Sequence, residues 1–157
     1  MPLSSVFDSL ANSGLASAIN ETTYAVGALS SIHLLGLTLI VGSSIVVGLR
    51  SFGLLVPDRP LTDVMRPAGR ALLLGLSISV VTGLLMFTPR AVSASENPVF
   101  RTKMLLVSAA ILFQLTLFRF VARSNGSSPL WRRLSGALGI ALWFAVGFYG
   151  VLFTVFE

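Results

Sequence analysis

The chain has no cysteine, one histidine and only six acidic residues. Without cysteine it can form neither a disulfide nor a thiolate metal site. Charge of either sign is scarce: 11% of residues are Asp, Glu, Lys or Arg, about half the share in a soluble domain. Enzyme machinery is missing too. The sequence shows no Ser/His/Asp or Cys/His set, no carboxylate pair and no phosphate-binding loop. No carboxylate falls inside a long apolar run, which removes the usual intramembrane proton relays and cation sites.

What the chain has is apolar length. Hydrophobic residues make up 54%, and mean hydropathy is +0.87. Four runs stand out: 24–49, 71–87 with an extension back to Pro67, 104–118 continuing past Arg119, and 134–156. A bilayer core about 30 Å thick needs about 20 helical residues, and backbone polar groups in lipid must bond within their own segment. The runs predict an all-α, four-helix transmembrane bundle forming one domain over 1–157, with spans near 24–49, 67–88, 103–121 and 134–156. Breakers separate the spans: "VPDRP" (56–60), Pro89, "SENP" (95–98) and "RSNGSSP" (123–129). Pro67 suits a first helical turn. Residues 1–22 lack the basic start and continuous apolar core of a signal peptide. Leu3, Val6, Leu10 and Ile19 fall near one helical stripe there, so a short interfacial helix is expected.

The net charge of +5 does not indicate nucleic-acid binding, because the basic residues sit in short clusters between apolar runs. Eight flank the first and third loops: Arg50, Arg59, Arg66, Arg70, Arg119, Arg123, Arg132 and Arg133. The second loop carries three: Arg90, Arg101 and Lys103. The positive-inside rule then places both termini on the outer, periplasmic side of a bacterial inner membrane. Asp8, Glu21, Glu96 and Glu157 fall on that outer side.

Small residues mark packing faces. Gly75, Ser79 and Gly83 recur every four residues on the second span; Gly147 and Gly150 lie on the fourth, with Gly136 and Gly139 below them. Such stripes let helices approach closely, and they can also form a cleft for a flat ligand. Trp143 and Tyr149 lie too deep to serve as interfacial belts. Gln114 and Thr116 are buried polar groups suited to interhelical hydrogen bonds.

The only imidazole, His33, lies in "SSIHLLGLTLIVG" (30–42), nine residues past Tyr24, or about 14 Å along a helix. Ionisable groups at such depth face protein, a cavity or a ligand. Three readings stay open: a neutral imidazole bonded to a neighbouring helix, an axial ligand to haem iron, and a partner for a quinone headgroup. For haem b or quinone the candidate set is His33, Met86, Ser30 and Gly36, with His33 as the metal ligand. Met86 is the methionine at suitable depth, together with Met104; Met65 lies on the other side.

"SIHLLGLTLIVGSSIVVGLRSFGLL" (31–55), "VTGLLMF" (81–87), "NPVFRTKMLL" (97–106) and "ALWFAVGFYG" (141–150) resemble an uncharacterised family of small four-helix bacterial membrane proteins with an HLLG-type first helix. The resemblance spans nearly the whole chain and implies a fold and a location rather than a reaction. More loosely, His33 in "HLLG" is similar to copper-resistance membrane proteins and b561-type cytochromes. Relatives often carry histidine after the phenylalanine that ends helix three, where this chain has Phe118 and Arg119. The expected function is a non-catalytic membrane subunit of a larger assembly, one moving electrons. It would contact lipid and either other subunits or its own copies. The alternatives are a haem- or quinone-binding protein using His33 and a small permease.

Overall fold

The computed structural model describes residues 3–123 and 129–155, with side chains over 5–117 and 129–155. Seven α-helices account for most of it: α1 (Leu3–Ala11), α2 (Gly14–Glu21), α3 (Ala25–Phe52), α4 (Leu61–Phe87), α5 (Ala91–Glu96), α6 (Pro98–Arg123) and α7 (Pro129–Val155). Four of these, α3, α4, α6 and α7, are long and apolar enough to cross a membrane, and no strand occurs among the described residues. The chain is therefore an all-α bundle with the features of a multi-pass membrane protein.

The helices overrun the apolar stretches. Helix α4 starts at Leu61, so Pro67 lies inside it rather than in its first turn. The ring removes only the bond to the Asp63 carbonyl, and Pro67 is exposed. Helix α7 likewise begins at Pro129 and runs through Arg132 and Arg133, because charge alone does not break a helix. Residues 88–97, expected as loop, form a 3-10 turn (Thr88–Arg90) followed by α5. Asn97 then caps α6, its Oδ1 accepting from the Val99 amide at 2.8 Å, with Pro98 in the first helical position. The lead-in is two helices, not one. Ser13 breaks it by capping α2, accepting from the Ala16 amide at 3.3 Å. Phe7, Ala16 and Ile19 turn toward the bundle, while Val6 and Leu10 stay exposed. Helix α1 rests on α5, and α2 on the 3-10 turn.

Helix α3 is the hub. Helix α4 packs along one side of it and α7 along another, while α6 docks on α7. Glycines set both α3 crossings. A Cβ on Gly75 would lie 2.6 Å from the Gly36 carbonyl oxygen and 2.8 Å from Leu39 Cβ. On the other side, a Cβ on Gly136 would lie 2.9 Å from Ser51 Cβ and 3.1 Å from Gly48 Cα. Removing side chains there lets backbones close up, and dispersion between them holds helices together where lipid supplies no hydrophobic drive. Ile40, Ala110, Trp143 and Val146 form the buried centre where α3, α6 and α7 converge.

The fourth seam, between α4 and α6, is poorly filled. It is closed at the end nearest α1 by Phe7, Phe87, Phe100 and Phe153. Their rings meet in series at centroid distances of 6.0, 5.4 and 5.4 Å. Toward the other end the seam opens into a cleft.

Helix α3 ends in a Schellman motif. Gly53 sits at φ +80°, with its amide bonded to the Arg50 carbonyl and the Leu54 amide to the Leu49 carbonyl. The Arg50 guanidinium then clamps the loop by donating to the Pro57 carbonyl (3.3 Å) and the Arg59 carbonyl. Val56 inside that loop has φ +42°, a left-handed conformation unfavourable for a β-branched residue.

Candidate functional site

His33 lies half-buried on α3 against α4. Its Nδ1 is 2.9 Å from Thr82 Oγ1. Thr82 spends its one hydroxyl proton on the Ile78 carbonyl at 2.7 Å. Thr82 therefore accepts and His33 Nδ1–H donates, which leaves the neutral ring with its lone pair on Nε2. Of the three readings, the interhelical hydrogen bond is the contact present in this structure.

The other candidates scatter around it. Gly83 lies against the imidazole, where a Cβ would come 3.3 Å from His33 Cε1. Ser30 and Met86 meet one turn further along, Oγ to Sδ at 4.0 Å. Gly36 faces α4, with Ser79 Oγ 2.5 Å from where its Cβ would stand, so helix packing takes the space a flat ligand would need. The stripe Gly75–Ser79–Gly83 is the groove into which α3 settles. Gly147 and Gly150 do not form a comparable one. A Cβ on Gly147 would meet nothing within 4 Å, and one on Gly150 would meet only Lys103.

Lys103 is the residue that sequence reasoning misplaced. Counted with a loop, it stands in the second turn of α6, half-buried, on the stripe shared with Leu106, Val107 and Ala110. Its amine would lie 3.7 Å from a Cβ on Gly150, and it sits within electrostatic range of His33. The signal was readable: a lysine three, four and seven residues before packed apolar positions belongs to the buried face.

Chemically, this cluster offers one imidazole lone pair, one ammonium, a hydroxyl and a thioether. A cation within electrostatic range of the imidazole opposes a metal ion, and among the described residues no three of His, Cys, Asp and Glu gather to hold one. For haem the fit is poor. The α3–α4 faces flanking His33 are closed by Gly36, Ser79 and Gly83, and Met86 already contacts Ser30. An oxygen-bearing neutral or anionic group matches the donors better. The side chains of Phe118 and Arg119, where relatives often place a second histidine, lie outside the described residues.

Gln114 on α6 is 3% exposed and accepts from Trp143 Nε1 on α7 at 3.4 Å. Thr116 makes no such link. It is exposed and donates to the Phe113 carbonyl of its own helix. Tyr149 packs edge-on against Phe148 at 6.1 Å.

No curated protein and no solved structure matches this chain. Nothing found supports the looser likeness to copper-resistance or b561-type proteins. A family model matches over residues 9–155, nearly the whole chain, and on that ground the protein belongs to the family of unknown function DUF6644.

Proposed function

We propose that this protein is a non-catalytic membrane subunit whose α6 face is covered by a partner subunit. One observation carries the reading. Over the described residues, Pro98–Leu117 of α6 is the least apolar of the four spans and also the least covered: 11% of its most apolar stretch is buried, against 33% for α3. Lipid favours the opposite pairing, with the most apolar helix outermost. The exposed stripe of α6 runs through Arg101, Leu105, Ser108, Leu112 and Thr116 and mixes small and polar residues with leucines. That composition suits helix–helix contact in a bilayer. The use of His33 to tie α3 to α4 agrees with a packing role rather than a reactive one.

The test is a photocrosslinking amino acid at Leu112, with Leu35 on α3 as the lipid-facing control, followed by purification from native membrane in mild detergent. A single protein adduct of fixed mass from position 112, absent from position 35, is expected. A solitary chain or homo-oligomer with its own turnover would overturn the reading. The proposal places the protein in a bacterial inner membrane with both termini on the periplasmic side, on the basic-residue imbalance alone.

A second reading, quinone binding at His33, draws support from Lys103. A quinol hydroxyl can donate to Nε2, whose lone pair the Thr82 bond leaves free, and Lys103 adds positive charge within electrostatic range. Electron transfer by the assembly rests on this second reading. Extraction of purified wild-type protein and His33→Leu for quinone checks it. Equal, substoichiometric amounts in both would remove it, and a Soret band lost in His33→Leu would replace it with haem.

A further inference from the structure

The seam between α4 and α6 encloses a cleft of about 560 Å³, a size typical of small-ligand sites. Its lining changes character along the membrane normal. Arg66 and Arg70, one turn apart on α4 and both exposed, stand at one end. Arg70 immediately precedes the apolar run 71–87, which puts both guanidiniums where lipid headgroups lie. Beyond them the walls turn apolar, with Leu76 and Ile111, down to Trp143, which is 2% exposed. Gln114, 3% exposed, also lines the cleft. Its Oε1 receives the Trp143 N–H. No carboxylate lines this cleft, whereas the cleft on the α3–α4 face contains both Arg59 and Asp63.

Two cations at headgroup level with no carboxylate among the lining residues, and an apolar slot beneath them, together describe an anionic amphiphile. Basic pockets between spanning helices recognise acidic lipid heads by this chemistry, and guanidinium forks suit phosphate oxygens. We propose that the α4–α6 cleft is a binding site for an anionic phospholipid. Its phosphate sits on Arg66 and Arg70, and one acyl chain lies along the seam beside Trp143. The site is separate from the α6 stripe assigned to a partner and does not depend on it.

The experiment uses the full chain as Trp131→Phe, which leaves Trp143 as the only indole, in vesicles of phosphatidylcholine and phosphatidylglycerol brominated on the acyl chains of one lipid at a time. Trp143 fluorescence is expected to reach half-maximal quenching at about tenfold lower mole fraction of brominated phosphatidylglycerol than of brominated phosphatidylcholine. The double variant Arg66→Gln/Arg70→Gln should bring the two curves together, and Arg66→Lys/Arg70→Lys should keep most of the preference. Unchanged helicity and melting of both variants guard against misfolding, and Leu115→Phe offers a second route by filling the slot and displacing the brominated chain without adding an indole. Equal quenching by both lipids, or a preference that survives Arg66→Gln/Arg70→Gln, would overturn the proposal. So would relief of quenching by millimolar glycerol phosphate, which would mean a site for free anions. A protein adduct from a photocrosslinker at Leu115 would mean that a polypeptide fills the seam instead.

Discussion

Within the spans, glycine matters where two backbones meet and not where its surroundings are open, and the two cases are separable by mutation. At Gly75 a branched side chain would run into the Gly36 carbonyl and Leu39 Cβ, and neither can move without parting α3 from α4. Gly75→Val should therefore cost about 2–4 kcal/mol, as over-packing at a backbone contact does. Gly147→Ala, with open space around the new methyl, should be neutral or slightly stabilising through helix propensity. Thermal or denaturant unfolding in detergent reads both. The His33–Thr82 bond invites a double-mutant cycle. Thr82→Val with His33→Leu should show a coupling of about 0.6–1.7 kcal/mol, the range for interhelical hydrogen bonds in bilayers. Ser79 serves as contrast. Among the described residues its buried hydroxyl has no hydrogen-bond partner, so Ser79→Ala should cost nothing or stabilise. That His33 would face a neighbouring helix was legible in its apolar surroundings. Its partner, 49 residues away on another helix, was not, because nothing local distinguishes Thr82 from the other hydroxyls of the spans.

Element boundaries follow local chemistry more closely than hydropathy does. Helix α6 starts where Asn97 and Pro98 say it should, although the apolar run begins later. Helices α4 and α7 begin before their apolar runs because water-exposed turns at a bilayer surface tolerate arginine, and in α4 also proline. The α3–α4 loop carries strain that a substitution can relieve. Val56 holds φ +42° while Arg50 clamps the carbonyls on either side of Asp58. Val56→Asn, which tolerates this region, should raise stability by about 1 kcal/mol, measured as a shift of the unfolding midpoint. Arg50→Met should act oppositely and make the loop more sensitive to protease. The misplacement of Lys103 has the same origin as the missed α5: charge was read as loop, whereas helical phase put the lysine on a packed face.

At the scale of the whole molecule, the proposed topology puts α2 and the end of α7 on one side of the membrane and the α3–α4 loop on the other. Because the chain has no cysteine, single cysteines report sidedness cleanly. Under the proposed orientation, Ser17→Cys on α2 should react with a membrane-impermeant maleimide in intact cells. Asp58→Cys in the α3–α4 loop should react only after permeabilisation. The reverse pattern would invert the orientation and move Arg66 and Arg70 to the outer leaflet. The four spans do not close into a symmetric bundle. Helix α3 joins α4 and α7 through glycine crossings, α6 hangs on α7, and the seam between α4 and α6 is shut at one end by phenylalanines and open at the other. Both functional proposals live in that asymmetry, one on the outer face of α6 and one inside the seam.

Sequence alone determined the solvent, the number of apolar runs long enough to span it and the absence of any disulfide or thiolate site. Transfer into lipid is decided segment by segment, from length and composition, and a missing residue type cannot be restored by folding. Tertiary structure alone decided which helices touch, that Lys103 approaches His33, and that Arg66 and Arg70 share a cleft with Gln114 and Trp143. Those outcomes depend on close contacts between segments far apart in the chain. Every span carries small residues that could serve as a crossing, and only the packed arrangement selects among them.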